Sequence, residues 1–391
     1  MLGKVNIFFK TFTIYYNLWY NKCMLYFDNA STTKISPNSL NKYVEVSEQF
    51  FNPSALYKES VNVKNLIEQA RAFMLKTFKG AKNSTIIFTG SATESNNAVL
   101  FSNITRKDKK YIFSQGEHSS IYETAKRYKE QGYNIVFVPL NKNGGVNVDA
   151  LINEIDSSVA LVSVIHVSNE TGAINDIADI CRRVKSINPN IIVHSDGVQA
   201  VGKVEINLTN LGVDYYTISA HKINGPKGIG GLYIANPNKF KPFILGGGQE
   251  MNLRSGTENV PSIMAFKVAV EDVKIHDYSA HKKAILSNIE ADYILVSAKN
   301  CVDNIISLCF KGVRGETIEH ILESEGYLIG TGSACNSKAG NNRVLSQIVD
   351  KNYIEGAVRI SFGEDVSVED CINLGKALTN AVKKYRKNTN R

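Results

Sequence analysis

One lysine in this sequence stands where a side-chain amine could do covalent chemistry. Lys222 follows the aromatic and β-branched run Tyr215–Ser219 and precedes a glycine-rich turn, Gly225–Gly231. A lysine held at the end of a strand can be desolvated, which lowers its pKa and makes its amine nucleophilic. Lys222 could therefore carry a cofactor, although most lysines near such turns are solvated surface groups.

A second cluster could bind a phosphate group. The segment Thr89–Asn97 follows a predicted strand, Thr85–Thr89, and precedes the apolar run Ala98–Leu100, so its glycine turn should open a helix. Backbone N–H groups at the start of a helix, together with the hydroxyl of Thr93, suit a phosphate. An ordinary helix N-cap by Ser91 or Thr93 explains the same residues equally well.

Two titratable side chains follow other predicted strands. His118 comes just after Tyr111–Ser114 and could stack on a planar ring or transfer protons, although an isolated histidine is more often structural. Asp196 follows Ile191–His194 and could hold a pyridine nitrogen protonated, whereas a helix N-cap is the simpler interpretation of that residue. In open α/β sheets ligands bind at the carboxyl ends of the strands, and these groups fall there.

A single thiol lies in the polar segment Gly330–Arg343. Cys335 lacks the apolar periodicity that surrounds a core cysteine, and the neighbouring Lys338 and Arg343 could favour its thiolate. The other cysteines form no C-x-x-C pair and resemble reduced, structural thiols, which favours a cytoplasmic protein. We assign no metal role to the histidines that lack metal-ligand spacing, which are His166, His194, His276, His281 and His320.

The sequence between these residues predicts an α/β fold. From Thr85 onward short β-branched runs alternate with amphipathic stretches, which is the pattern of βα units in a mostly parallel sheet. The predicted strands are Thr85–Thr89, Tyr111–Ser114, Ile135–Val138, Val159–Val164, Ile191–His194, Tyr215–Ser219 and Leu232–Ala235. After Pro261 we expect a smaller α+β part with a long helical stretch, strand Ile305–Phe310, helix Thr317–Glu325, strand Val358–Phe362 and a helix from about Val368.

Length and composition fit a globular protein of two domains. The chain has 391 residues, of which 43% are hydrophobic and 21% charged. The net charge of +8 is spread along the chain and indicates neither nucleic acid nor a membrane as a partner. Residues 1–23 match neither a membrane span nor a secretory signal. We expect them to be a disordered extension or a start-site artefact, because Met24 precedes the apparent strand Leu25–Asp28.

Nine ordered segments together closely resemble the cysteine desulfurases of the nitrogen-fixation (NifS/IscS-like) type. These enzymes are class V aminotransferases, within the fold-type I enzymes that use pyridoxal 5′-phosphate. The segments are Tyr26–Thr33, Asn52–Ser54, Phe88–Asn97, Glu117–His118, Asn169–Gly172, Ser195–Asp196, Ser219–Lys222, Arg254–Thr257 and Gly332–Cys335. The resemblance implies a large cofactor-binding domain at residues 36–262 with a seven-stranded, mostly parallel sheet, and a small domain made of residues 24–35 and 263–391.

The resemblance also implies a role for each matching residue. Lys222 matches the lysine that binds the cofactor, His118 the histidine that stacks on its ring and shuttles a proton, and Cys335 the nucleophile that becomes a persulfide. Asn169 and Arg359 match groups that hold the substrate carboxylate. The matched contacts to the cofactor are Ala92, Thr93, His118, Asn169, Asp196, Gln199, Ser219, His221, Lys222 and Thr257.

The implied reaction converts L-cysteine to L-alanine and passes the sulfur through Cys335 to an acceptor protein, such as an iron–sulfur scaffold or a tRNA-thiolation enzyme. Thr257 matches a contact that comes from a second subunit, so the resemblance implies a homodimer with shared sites. Selenocysteine lyase activity, transamination and a non-catalytic scaffold are alternatives. Transamination needs no mobile thiol, so the position of Cys335 in a polar segment argues against it. The presence of Lys222, Asp196 and His118 argues against the non-catalytic scaffold.

Overall fold

The structure of the protein is a computed structural model that describes residues 24–297, 299–331 and 342–389. The extension at residues 1–23 and the thiol of Cys335 lie outside the described residues, so what the sequence predicts for them stays a prediction. No helix in the described part of the chain is long and apolar enough to cross a membrane.

The chain forms alternating strands and helices. The strands are β1 (Leu25–Phe27), β2 (Thr85–Thr89), β3 (Lys110–Ser114), β4 (Asn134–Val138), β5 (Val159–Ser163), β6 (Ile192–Asp196), β7 (Tyr215–Ser219), β8 (Gly230–Ile234), β9 (Tyr293–Leu295), β10 (Ile305–Phe310), β11 (Tyr327–Thr331) and β12 (Ala357–Ser361). The helices are α1 (Pro37–Ser47), α2 (Lys58–Thr77), α3 (Ala92–Asn103), α4 (Ser119–Glu130), α5 (Val148–Asn153), α6 (Ile177–Ile187), α7 (Leu208–Leu211), α8 (Val260–Asp272), α9 (Ser279–Ser287), α10 (Gly315–Ser324), α11 (Lys351–Ile354) and α12 (Val368–Asn388).

The larger sheet has seven strands in the order β2-β8-β7-β6-β5-β3-β4. Strands β4, β3, β5, β6 and β7 run parallel, whereas β8 is antiparallel to both of its neighbours. Its strands are short apolar runs because helices cover both faces of such a sheet. The structure therefore confirms the predicted mostly parallel seven-stranded sheet.

Two strand boundaries differ from the prediction in ways that affect the site. Strand β6 continues to Asp196, because Asp196 still pairs with Thr217 of β7. Strand β8 begins two residues before the predicted Leu232, because Gly230 and Gly231 pair with Ser219 and Ile218. The last two residues of the glycine-rich turn are therefore part of the sheet.

A smaller sheet has the order β1-β11-β12-β10-β9, in which only β1 and β11 pair in parallel. It packs on a second apolar core that contains the buried rings of Phe27, Phe310 and Phe362. The predicted long helical stretch after Pro261 is two helices, α8 and α9, because the backbone becomes extended at Val273. Strand β1 joins the C-terminal strands, which brings the segment that follows it to the edge of the larger sheet.

Candidate active site

A cavity of about 400 Å³ lies where the carboxyl ends of β6 and β7 meet β11 and β12 of the smaller sheet. It brings together nine residues that the sequence predicts to act, namely Ala92, Thr93, His118, Asn169, Asp196, Gln199, His221, Lys222 and Arg359. Ser219 lines an adjoining cavity of about 340 Å³ beside His221. Thr257 is exposed and lines neither of these two cavities.

Helix α3 begins at the edge of the cavity. The side chain of Ser91 caps it by accepting a hydrogen bond from the N–H of Glu94 at 3.1 Å, so Ser91 rather than Thr93 is the N-cap. The N–H groups of Ala92 and Thr93 lie in the first turn, before the intrahelical hydrogen bonds begin. A Cβ on Gly230 would lie 2.7 Å from the carbonyl carbon of Ser91, so only glycine lets β8 pass this close. The N-cap and the phosphate-binding interpretations therefore both fit this turn.

Asp196 is a buried carboxylate at the end of β6. Its Oδ1 accepts a hydrogen bond from the N–H of Val198 at 3.0 Å, and its Oδ2 accepts one from Nδ2 of Asn96 at 2.9 Å. Turns rather than a helix follow it, so the N-cap interpretation of Asp196 is wrong. Asn96 is fully buried on α3, and sequence reasoning gave it no role because asparagine in a helix carries no distinctive signal.

His118 is the N-cap residue of α4. Its Nδ1 lies 2.8 Å from Oγ of Ser120 and accepts the N–H of Ser120 at 3.2 Å. Burial lowers the pKa of His118; Asp196 opposes that shift, while Lys222 and Arg343 add to it. The imidazole is therefore held neutral near neutral pH.

Lys222 ends a short turn that continues from β7. Its Nζ donates hydrogen bonds to the carbonyl oxygens of Ala30 and Ser31, at 2.6 and 2.5 Å. Gln199 donates to the same oxygen of Ala30 at 2.8 Å, whereas its buried Oε1 has no partner among the described residues. The segment after β1 thus fixes both side chains at the cavity wall.

His221 precedes Lys222 and contacts the same segment. Its Nδ1 lies 3.1 Å from Oγ1 of Thr32, and its carbonyl oxygen accepts the N–H of Thr33 at 2.9 Å. Burial, and then the charge of Lys222, lower the pKa of His221 to about 4. A neutral imidazole at this position can donate one hydrogen bond to an anion without carrying charge.

Arg359 projects from β12 into the cavity. Its Nη2 lies 2.8 Å from Oδ1 of Asp28, and its Nη1 donates to the carbonyl oxygen of Asn169 at 2.9 Å. Its buried Nε has no partner in the described part of the chain. Asn169 therefore contacts Arg359 through its backbone. Sequence reasoning gave Asp28 no role, since nothing local links two residues 331 positions apart.

The residues on either side of 332–341 lie next to this cavity. Thr331 lines it, and Arg343 donates from Nη2 to the carbonyl oxygen of Glu117 at 2.6 Å, beside His118. The Arg343 guanidinium also stacks 4.0 Å above the centre of the Tyr122 ring. The described residues that flank 332–341 therefore lie close to the site. Cys335 is not among the described residues.

Comparison with known proteins shows which family the chain resembles. The chain matches the aminotransferase class-V family over residues 25–374. A cysteine desulfurase IscS of Dictyoglomus turgidum is 34% identical, over 93% of this chain and 95% of that protein. A solved NifS-like protein superposes with a TM-score of 0.84 at 30% identity, over 92% of this chain and 100% of that one. A structure described as SspA in complex with cysteine gives a TM-score of 0.77 at 28% identity, over 86% and 98%.

The chain therefore belongs to the aminotransferase class-V family. Within that family, similarity along nearly its whole length places it among the cysteine desulfurases, which are pyridoxal-phosphate-dependent enzymes.

The residues of the cavity fit that cofactor. The first turn of α3 offers N–H groups to a phosphate, and His221 adds a neutral donor beside it. The buried carboxylate of Asp196 suits a protonated pyridine nitrogen, and the unpartnered Oε1 of Gln199 suits a ring hydroxyl. The amine of Lys222 lines the same cavity, where it could meet a carbonyl group.

Proposed function

We propose that this protein takes the sulfur atom of L-cysteine onto Cys335 and releases L-alanine. One observation carries the proposal: an amine, a buried carboxylate, a neutral imidazole and a guanidinium line a single cavity. They belong to Lys222, Asp196, His118 and Arg359. Pyridoxal phosphate, when bound, supplies an electron sink for the negative charge that develops at the substrate α-carbon. Asp196 would hold the ring nitrogen protonated, and α3 would bind the phosphate.

Residues of the chain itself would carry out the proton and sulfur transfers. Lys222 would take the proton from the α-carbon. The thiolate of Cys335 would then attack the sulfur of the substrate, so that a sulfur–sulfur bond forms as the carbon–sulfur bond breaks. The β-carbon keeps the electron pair of the broken carbon–sulfur bond and gains a proton, and the α-carbon regains the proton that Lys222 took. L-alanine then leaves, and no external oxidant or reductant is needed.

The four cysteines in the described part of the chain support the assignment of the nucleophile to Cys335. Burial raises the pKa of Cys181, Cys309 and Cys371 to about 12, and it also raises the pKa of Cys301. A thiol that stays protonated is a poor nucleophile. These four described cysteines are therefore unsuited to the sulfur transfer.

Arg359 supplies the test of substrate binding. Arg359→Lys keeps the charge but loses the planar fork that holds a carboxylate through two hydrogen bonds. We expect kcat/KM for alanine release from L-cysteine to fall roughly 10- to 100-fold, mostly through a higher KM. Alanine is measured over a range of cysteine concentrations. Arg386→Lys, in the last turn of α12 and outside the cavity lining, is the matched control and should leave both constants unchanged. An unchanged KM in Arg359→Lys would contradict the carboxylate role.

We also propose a homodimer in which Thr257 completes the phosphate site of the partner. Thr257 is exposed and does not line the cavity of its own chain. Large apolar side chains are exposed as well, including Phe50 (84%), Leu56 (97%) and Leu245 (78%), and a second subunit could cover them. Both observations support shared active sites.

Mixed dimers test this sharing. Lys222→Ala removes the amine, and Thr257→Asp places a negative charge opposite the phosphate, so each homodimer should be inactive. A heterodimer of the two variants, isolated through two different tags, regains one intact site only if Thr257 acts across the interface. We expect about half of the wild-type activity in that heterodimer. An inactive heterodimer would place Thr257 in its own subunit's site.

The sulfur on Cys335 is proposed to pass to an acceptor protein in the cytoplasm, either an iron–sulfur scaffold or a tRNA-thiolation enzyme. Unpaired thiols at Cys181, Cys301, Cys309 and Cys371 support a reducing compartment. Adding each class of acceptor to the enzyme and measuring alanine release distinguishes the two classes.

A further inference from the structure

A chain of hydrogen bonds joins Asp196 to His118 behind the cavity. Nδ2 of Asn96 lies 2.9 Å from Oδ2 of Asp196 and 2.9 Å from Oγ of Ser120. The same Oγ lies 2.8 Å from Nδ1 of His118, which also accepts the backbone N–H of Ser120 at 3.2 Å. Asn96, Ser120 and Asp196 are each at least nine-tenths buried, so solvent does not compete for these hydrogen bonds.

The donors and acceptors of this hydrogen-bond network allow one arrangement of protons. Asp196 accepts from both Asn96 and Val198, so Asn96 must present its amide NH₂ group and not its oxygen. The two hydrogens of that group then go to Asp196 and to Ser120. Ser120 accepts one of them, so its own hydroxyl hydrogen is left for Nδ1 of His118. Nδ1 of His118 therefore accepts two hydrogen bonds, one from the hydroxyl and one from the N–H of Ser120, and carries no proton.

The position of His118 also disfavours a second proton on the ring. An imidazolium would carry a hydrogen on Nδ1, facing the N–H of Ser120. The ring caps the N-terminus of α4, where the helix dipole opposes positive charge. The charged groups that act on it are the cations of Lys222 and Arg343 and the carboxylate of Asp196, and the carboxyl of its chain neighbour Glu117 is buried nearby.

We propose that Asn96 and Ser120 are positioning residues that hold His118 as a neutral imidazole with its single proton on Nε2. Ser120 occupies Nδ1, so Nε2 is the nitrogen left to interact with a molecule in the cavity. His118 then acts there as a hydrogen-bond donor and not as a cationic acid. This catalytic consequence rests on the proposed function, whereas the protonation state of the ring does not.

Nitrogen NMR of the full-length holoenzyme, labelled with ¹⁵N in its histidine rings, tests the proposal. His118→Gln identifies the signals of His118. In the wild type we expect an unprotonated Nδ1 and a protonated Nε2, with a titration below the ordinary histidine value of about 6.5. A protonated Nδ1 in the wild type would overturn the proposal, whatever any variant does.

Substitutions at Ser120 then show whether this residue sets the tautomer. Ser120→Ala removes the hydroxyl donor and should give a mixture of tautomers with a titration about one pH unit higher. Ser120→Thr keeps the hydroxyl and should restore the wild-type spectrum, and Ser119→Ala, in the same helical turn, is the matched control. An unchanged tautomer in Ser120→Ala would overturn the positioning role. A wild-type holoenzyme that shows this tautomer but releases no alanine from L-cysteine would count against the proposed function alone.

Discussion

Replacing Lys222 with alanine is expected to lower the rate of alanine formation from L-cysteine by a factor on the order of 10⁴ or more. The side-chain amine is the group that would attach the cofactor and take the α-proton, and the variant has no other amine at that place. The structure supports this role, because the carbonyl oxygens of Ala30 and Ser31 hold the amine at the cavity wall. Lys222 is the only lysine among the described residues that line this cavity.

The attachment can be measured separately from the reaction. Borohydride reduction of the wild-type holoenzyme, followed by digestion and mass spectrometry, should place the cofactor on the peptide that contains Lys222. The same treatment of Lys222→Ala should leave no peptide modified. Lys82→Ala, an exposed lysine before β2, serves as the control and should behave as the wild type. Attachment at another lysine, or appreciable turnover in Lys222→Ala, would contradict the assigned role.

Replacing Cys335 with alanine is expected to reduce alanine formation from L-cysteine at least about 10³-fold while leaving the bound cofactor in place. The residue would act only on the substrate sulfur, so the contacts that hold the cofactor remain. This separates Cys335 from Lys222, whose loss removes both attachment and reaction. The cofactor content is read from the absorbance of the purified protein, and alanine is measured by its amine after separation from cysteine.

Cys301→Ala provides the matched control for Cys335. Cys301 is half-buried, it does not line the 400 Å³ cavity, and burial raises the pKa of its thiol. Its loss should leave alanine formation unchanged. Equal losses of alanine formation in the two variants would contradict a role specific to Cys335. An active Cys335→Ala would show that another group is the nucleophile.

The central architecture could be predicted from the sequence because its strands are short apolar runs that end at polar clusters. Strands β2, β7 and β10 have the predicted bounds. The lysine and histidine that follow such strands, and the aspartate that ends one, line a single cavity. Parallel strands bring their carboxyl ends to one edge, so the order of motifs along the chain carries information about their positions in space.

The supporting contacts could not be predicted, because they join residues that are distant in sequence. Arg359 pairs with Asp28, and Asn96 of α3 joins Asp196 to Ser120. No periodicity or spacing links such partners. The end of β6 was also missed, since pairing with β7 extends the strand through a polar serine and aspartate that by themselves favour a turn.

Direct detection of the sulfur on Cys335 tests whether this thiol receives the sulfur atom of L-cysteine. The holoenzyme is mixed with a single equivalent of L-cysteine carrying a heavy sulfur isotope, alkylated, digested and analysed by mass spectrometry, while the released alanine is counted in parallel. We predict one labelled sulfur atom on the Cys335 peptide for each alanine released, and none on the peptides of the other cysteines. Alanine released without labelled sulfur on Cys335 would contradict the account.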